Sequence, residues 1–481
     1  MICTKIRKKL NLIEISGRTI QDNYFMQSKF IIFLFLMSFL FLPTANASKN
    51  ISENSDNKKS FVGQYTSLSL KSATELALKN NLTTLLAKAK TEQAKGKVLQ
   101  SVSYLLPHVL LNLQQSRVFK ENLSAMGFPS WGTIGPYNSF DGRIQLVQQI
   151  FDLSAIERFR AEQVNSKIAQ LDEELAAKQV RSAVSLAYLN ALSAEADLKA
   201  AKADFDLAKQ LLKLGRHQNA AGLATSIDVT RFETREAEEA ARYLQAIMNL
   251  HKAYIELNRV IGLPLSTRLK LTDSMDLMLG HIFSVSEGID FANRNRTEIK
   301  IASERIHHQE LKVEEAKSER LPKVGFSGDY GLGGDSPNNS LRNVGEAGVL
   351  LNMPIFDSGL IKGEVQEAES NKRQSQLTYD DLTKQVQEDV RLAFQTLIVG
   401  IKQVKAAKKT LGLAKRELDM SKDLFSAGIG DNIQVIDAQT VLARARQEYV
   451  AMLFQYNTAR VNLYSALGNV EAFRLVKKKG E

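Results

Sequence analysis

Few side chains in this sequence are spaced for covalent or metal chemistry. His307 and His308 are adjacent, with Glu310 two residues on. A helical HExxH metal site needs its histidines four residues apart so that both imidazoles leave one face, so this pair reads as exposed helix histidines. The single cysteine, Cys3, lies ahead of an apolar run that ends in a cleavage pattern. Disulfides and thiolate catalysis are therefore excluded from the mature chain. No glycine-rich phosphate loop and no nucleophile–base arrangement stands out. The expectation is no enzyme, no metal and no cofactor. Asp228 and Asp437 stand near the starts of two helical stretches, where the helix dipole favours a carboxylate.

Those residues are positioned by a chain written twice. Phe151-Asp152 recurs as Phe356-Asp357, Leu186-Ala187-Tyr188 as Leu392-Ala393-Phe394, and Lys199-Ala200-Ala201-Lys202 as Lys405-Ala406-Ala407-Lys408. Ala221-Gly222-Leu223 recurs as Ala427-Gly428-Ile429, and Ile261-Gly262 as Leu467-Gly468. The offset is 206 residues from Leu186 to Gly262, but 215 where Leu106-Pro107 matches Leu321-Pro322. The first copy thus holds extra residues between Pro107 and Phe151, and a length difference confined to one place marks a surface loop. A repeat this long is two copies of one large supersecondary unit, not a short-period solenoid.

Each copy opens with a helical pattern, Leu70 to Leu105 and Val285 to Arg320, that stops at a Leu-Pro. The period then changes to two. Val324, Phe326, Tyr330 and Leu332 share one face, with Lys323, Ser327 and Asp329 on the other. Val109, Leu111 and Leu113 alternate likewise, as do Ile144, Leu146 and Ile150 against Arg143, Gln145 and Gln149. Strands are expected at about 107–120, 139–151, 322–333 and 343–356, each near the length that crosses a bilayer when tilted. A small soluble hairpin alternates in the same way. Beyond Phe151 and Phe356 a heptad seam follows. It is carried by Val390, Phe394, Leu397, Ile401, Val404, Leu411 and Leu418, and more weakly by Val184, Tyr188, Ala191, Leu198, Phe205 and Leu212, with Glu195 where the second copy has Ile401. A single helix from Ser154 to Leu214 would be about 90 Å long and must pack along the next one, Ser226 to Ile261. The hairpins span 154–262 and 358–468. Their turns contain Gly215, Gly222 and Thr225-Ser226 in the first copy, and Gly428 and Gly430 in the second.

The fold class is therefore mainly α with a small β part, a duplicated helix–strand–strand–helix–helix unit with long coiled-coil helices. Four strands per chain cannot close a barrel, and lipid does not tolerate open edges. Either the strands lie outside a membrane, or several chains share one barrel. Three chains would supply about twelve strands.

Phe30 to Leu42 is an apolar run broken only by Ser38, with Lys29 before it and Pro43 and Ala45-Asn46-Ala47 after it. That is a signal-peptide layout with cleavage expected after Ala47; Met26 is a possible alternative start. The organisation expected is a signal peptide at 1–47 and a polar leader at 48–66. The first repeat follows at 67–264, a connector at 265–284, the second repeat at 285–470 and a short tail at 471–481. Loss of 1–47 removes six basic and two acidic residues and lowers the net charge from +10 to +6. Both signs are interspersed, which describes a solvated helical surface and no nucleic-acid partner. No other run reaches the 18 apolar residues of a spanning helix, so a mature chain that crosses a membrane uses strands. Phe128, Trp131, Tyr137 and Phe140 lie in or near the longer inter-strand loop, as an interfacial girdle, a cap over a mouth, or ordinary loop packing.

In this layout the chain resembles the TolC-like outer-membrane efflux protein family. The features that carry the resemblance are the duplicated element order, Leu-Pro before the strands and Phe-Asp after them. The tip segments Ala221-Gly222-Leu223 to Asp228-Val229 and Phe425-Ser426-Ala427-Gly428 to Val435-Ile436-Asp437-Ala438 add to it, as do the half-ends Ile261-Gly262-Leu263-Pro264 and Leu467-Gly468. It covers about Ser67 to Gly468. The resemblance implies a homotrimer in the outer membrane of a Gram-negative bacterium, with one 12-stranded β-barrel continued by an α-helical periplasmic tunnel. Such a protein is the passive exit duct of a tripartite efflux pump or a type I secretion system. The implied partners are outer-membrane lipid, a periplasmic adaptor (membrane fusion) protein and, through it, an inner-membrane pump or ABC transporter. The family's acidic aperture then maps to Asp437, Gln434 and Asp228, where Gln434 stands at the place of a second ring aspartate. A ring of Asp437 carboxylates in a narrow pore would concentrate cations. The family's gating arginine falls at Gly430 and its gating tyrosine at Phe425, so the lock is only partly present. Gly222, Leu223, Gly428 and Ile429 are the expected adaptor-docking residues at the tips. The competing reading of the long helices is a periplasmic coiled-coil adaptor or scaffold without a pore, which should carry more β-structure around a single hairpin.

Overall fold

The computed structural model describes residues 66–122, 133–278, 284–339, 342–427 and 429–478. The signal peptide, most of the leader, Phe128, Trp131, Gly428 and residues 479–481 lie outside the described residues.

The opening strand β1 (Thr66–Leu68) leads into α1 (Leu70–Asn80) and α2 (Leu82–Ser103). The single helix expected from Leu70 to Leu105 is thus two. Asn81 takes an extended conformation, its side chain accepting the Thr83 amide at 2.8 Å and donating to the Val260 carbonyl at 2.8 Å. A side chain that offers the backbone this alternative ends one helix and caps the next. The second copy breaks at Arg296, between α5 (Val285–Asn295) and α6 (Thr297–Ser318). Ser69 and Ser284 start the paired helices with capping boxes.

Four long strands follow, β2 (His108–Val118), β5 (Tyr137–Phe151), β8 (Lys323–Gly334) and β9 (Arg342–Asn352). They form one antiparallel sheet in the order β2–β5–β8–β9. The extra residues of the first copy carry a minor pair, β3 (Glu121–Asn122) with β4 (Thr133–Ile134), at the far end of the β2–β5 hairpin. The recurring Phe-Asp is the exit from strand to helix. Asp152 accepts the Ala155 amide at 3.1 Å to start α3 (Leu153–Ala220), and Asp357 accepts the Gly359 and Ile361 amides at the head of α7 (Leu360–Ser426).

The helix α3 returns as α4 (Ser226–Ile261), and α7 as α8 (Asn432–Ala466). Gly215 does not belong to the turn as expected; it lies inside α3. The heptad residues Val184, Tyr188, Val390, Phe394, Val404 and Leu418 are buried. Glu195, the odd member of the seam, accepts the Tyr254 hydroxyl at 2.6 Å and pairs with Lys478 at 2.7 Å. No helix among the described residues is long and apolar enough to cross a membrane.

The stretch between the repeats is more than a connector. It carries β6 (Leu269–Leu271), parallel to β1, and β7 (Asp273–Ser274), antiparallel to β10 (Val476–Lys477). The end of the expected leader and the expected tail are therefore structural straps. Their anchor is Asp273, which accepts the Leu70 amide at 2.7 Å and the Tyr188 hydroxyl at 2.9 Å among the packed Leu68, Leu257 and Ile261. A buried carboxylate persists only when its lone pairs are satisfied.

Candidate functional site

The sheet has two unlike faces. On one, Val109, Leu111 and Leu113 pair across with Leu146, Ile144 and Gly142, and Ile144 and Leu146 with Tyr330 and Gly328. The same row continues through Val349 and Leu351. Leu111, Ile144, Tyr330 and Leu351 are between 51% and 65% exposed. An apolar face left open over four strands is a surface for another apolar phase. The other face carries Asn112, Arg143, Gln145, Asp329 and Glu346. There Arg143 bridges Asp141 at 2.7 Å and Asp329 at 3.0 Å, and the Asn112 amide donates to Gln145. Strand alternation puts these sets on opposite sides. The outer strands β2 and β9 each keep one edge unpaired within the sheet.

At the far ends of the helices both tips expose a large apolar side chain. Gly222 sits at φ +75° with open space where a Cβ would be, so backbone conformation alone calls for glycine there. Leu223 and Ile429 stand out at 68% and 78% exposure. A Cβ on Gly430 would lie 2.8 Å from the Phe425 nitrogen, so this loop has no room for an arginine. Phe425 is buried against Phe232, with ring centroids 5.7 Å apart, and its carbonyl accepts the Gln218 amide at 2.6 Å.

The three expected aperture residues differ in their local partners. Asp228 closes a capping box at the start of α4, accepting the Thr225 amide and hydroxyl at 2.8 Å each. The Thr225 backbone N–H and then its hydroxyl hold the Asp228 carboxyl below the usual range against the effect of burial, with Arg231 adding the smallest pull. Asp437 and Gln434 lie one turn apart on α8 and are both exposed. Asp437 is the sixth residue of its helix, beyond the first turn where the dipole acts.

A second layer behind the tips escaped the sequence reading. Gly215 is a socket in α3: a Cβ there would lie 2.6 Å from the Phe232 ring on α4. A lone glycine in a helix otherwise free of breakers is the signal that could have found it. Further along, Asp204 of α3, 4% exposed, pairs with Arg446 of α8 and so joins the two hairpins. Burial pushes the Asp204 carboxyl above its usual range despite the opposing pull of Arg446. Within electrostatic reach of Asp204, on α4, buried Arg235 meets Glu239 at 2.6 Å, and Glu239 also meets Arg242 at 3.1 Å. Nothing in local periodicity marks a pair of residues so far apart in sequence.

Among the described residues no group of histidine, cysteine and carboxylate side chains is placed to hold a metal ion. His307 meets Glu310 at 3.5 Å on an exposed helix face.

The chain matches the outer membrane efflux protein family over residues 73–263 and 288–469. It is 21% identical to the alkaline protease secretion protein AprF of Pseudomonas aeruginosa over 376 residues, which cover 76% of this chain and 77% of that protein. It is 22% identical to the outer membrane protein TolC of Escherichia coli over 351 residues, covering 69% and 70%. The crystal structure of the Campylobacter jejuni CmeC outer membrane channel has the same fold, with a TM-score of 0.75, 20% identity and coverage of 85% of this chain and 87% of that one.

Proposed function

The chain belongs to the outer membrane efflux protein family, and from that premise we propose the assembly in which it works: three copies sharing one 12-stranded barrel, continued by a helical tunnel that docks on a periplasmic adaptor. The protein is an outer-membrane exit duct for pumps or type I secretion, and a channel, not an enzyme. The observation that carries the assembly is the four-stranded sheet with an apolar face, a polar face and two open edges. In lipid such edges must be paired, and copies of the same sheet supply matching strands. With the apolar face on lipid, Arg143, Asp141, Asp329 and Glu346 face the lumen. A pore-free adaptor would have no use for a lipid-compatible sheet face of this size.

At the other end we assign the aperture to Asp437 with Gln434, one carboxylate per copy. Asp228 is left to its capping role. Leu223 and Ile429, with Gly222 in its turn and Gly428 by its place in the sequence, make the apolar tips to which the adaptor docks, and through the adaptor an inner-membrane pump or ABC transporter. Relatives named for protease secretion and for pyoverdine export support a place in either kind of export system. Extraction from outer membranes tests the assembly. A detergent-dependent trimer is expected; a single chain released by osmotic shock would overturn it.

A further inference from the structure

The two signs of charge, interspersed over most of the chain, separate in one stretch of α7. From Val390 to Arg416 there are seven basic residues and no acidic one. The first copy has acids at matching places: Glu195, Asp197, Asp204 and Asp206 stand where α7 has Ile401, Gln403, Thr410 and Gly412. The α7 cations Lys405, Lys408, Lys409, Lys415 and Arg416 are all exposed, and none of them forms an ion pair among the described residues.

Gly412 is the floor of this cluster. On a helix the surface neighbours of a residue are those three and four positions away, and here all four are cations: Lys408, Lys409, Lys415 and Arg416. Lys405 stands two turns before it. Glycine inside a helix costs about 1 kcal/mol relative to alanine, and a close approach is what offsets that cost. Gly400 of the same helix has its reason within the chain, since a Cβ there would lie 3.6 Å from the Tyr456 backbone. A Cβ on Gly412 would meet nothing within 4 Å. The bare backbone there is open to a group from outside the chain.

The cluster also lies clear of the helix packing. Val404, Ala407, Ala414 and Leu418 are the buried residues of this stretch, and the helical period turns Gly412 away from their common direction. In the first copy α3 has a neighbour on each flank, α4 and α8. The positions there that match the α7 cluster, Lys199, Lys202, Ala203, Asp206, Lys209 and Gln210, are nevertheless all exposed. Covering both flanks of such a helix therefore leaves this face open.

We propose that this face of α7, with Gly412 as its floor and Lys405, Lys408, Lys409, Lys415 and Arg416 around it, binds the carboxylates of the peptidoglycan that the tunnel crosses. An outer-membrane duct holds its helices in the periplasm. Gly412 is 52 residues beyond Leu360, about 78 Å along the helix from its sheet end. The polymer met between the two membranes is the cell wall, whose peptide stems carry free carboxylates. One carboxylate against the bare backbone is within reach of several ammonium and guanidinium groups, which make the stronger, charge-assisted hydrogen bonds. A protein partner would bring an apolar centre to its interface, and none of the four surface neighbours of Gly412 is apolar. The proposal needs the helices in the periplasm and does not need the shared barrel.

Co-sedimentation of the detergent-extracted protein with purified peptidoglycan sacculi tests it. The wild-type protein is expected to pellet with sacculi and to be released as ionic strength rises. Lys409→Glu with Arg416→Glu should weaken binding by about tenfold or more, because like charges then face each other. Gly412→Leu should weaken it too with every charge kept, and the open space at this position lets the fold accept the side chain. Lys199→Glu with Lys202→Glu, the matching face of the first copy, should pellet like the wild type. Trypsin resistance of each variant checks that the helices are intact. Wild-type protein that stays in solution, or pellets equally with neutral chitin, would overturn the proposal. So would undiminished pelleting of the Lys409/Arg416 and Gly412 variants. If those variants keep sacculi binding but lose co-purifying adaptor, the face belongs to an acidic protein; if they instead change ion selectivity in planar bilayers, it lines the lumen. Extraction of the same variants as a detergent-dependent trimer is scored separately, so failure here and failure of the shared-barrel reading are told apart.

Discussion

Asp437 is placed where its charge serves no local need. It sits past the first turn of α8, exposed, with no ion pair among the described residues. In a threefold assembly it would supply three carboxylates to one ring, and such a ring holds divalent cations better than monovalent ones. Asp437→Ala is expected to lower cation selectivity and abolish divalent block in planar-bilayer recordings, with assembly intact; unchanged block would make Asp437 an ordinary surface residue. Asp228 is the opposite case. Its folded carboxyl is held below the usual value by the Thr225 amide and hydroxyl. Its contribution is thus complete above the unfolded value of about 3.9 and lost as pH falls through the lower folded value. Amide protection at the start of α4, taken relative to the intrinsic exchange rate, should fall only below about pH 4. In Asp228→Asn that acid dependence should disappear, and its persistence would place the titration elsewhere.

At the scale of elements, the joint between α3 and α4 depends on one missing side chain. Gly215 admits the Phe232 ring, which packs with Leu211, Leu418, Phe425 and Val435 from all four tunnel helices. Alanine in a helix is ordinarily favoured over glycine by about 1 kcal/mol. Here the added carbon collides with a buried aromatic. Gly215→Val should destabilise the tip by about 1–3 kcal/mol through overpacking, read as earlier protease cleavage in the hairpin. Phe232→Leu in the same chain should recover part of the loss. If Gly215→Val alone leaves cleavage unchanged, the ring has another place to go. The sequence pattern assigned Gly215 to the turn because a glycine near a reversal reads as punctuation. Only the facing ring shows it to be a packing residue.

For the whole molecule the decisive contrast lies across the sheet. Ile144 and Gln145 are neighbours in β5 that lie on opposite faces of the sheet. Ile144→Arg should cost about 2–4 kcal/mol near the bilayer midplane, whereas Gln145→Arg, on the lumen side, should be tolerated. Heat-modifiability of the assembled protein on gels would report the difference. Equal tolerance would argue against lipid on the Ile144 face.

The division between what was legible in the sequence and what was not follows the range of each interaction. The two-residue alternation of Val324, Phe326 and Tyr330, the heptads through Val390 and Phe394, and the repeated Phe-Asp are local periods. A period records which face is buried without needing to know by what. They were enough to determine the duplicated, mainly helical fold with four strands. The partner of Arg446 is Asp204, the strand that holds Val476 is β7, and the reason for Glu195 is Tyr254 and Lys478. These contacts join distant segments of the chain, and any carboxylate or strand edge of similar composition would have looked the same in sequence. Only the tertiary structure decides them, because a buried charge or an open edge is specified by the group that comes to meet it.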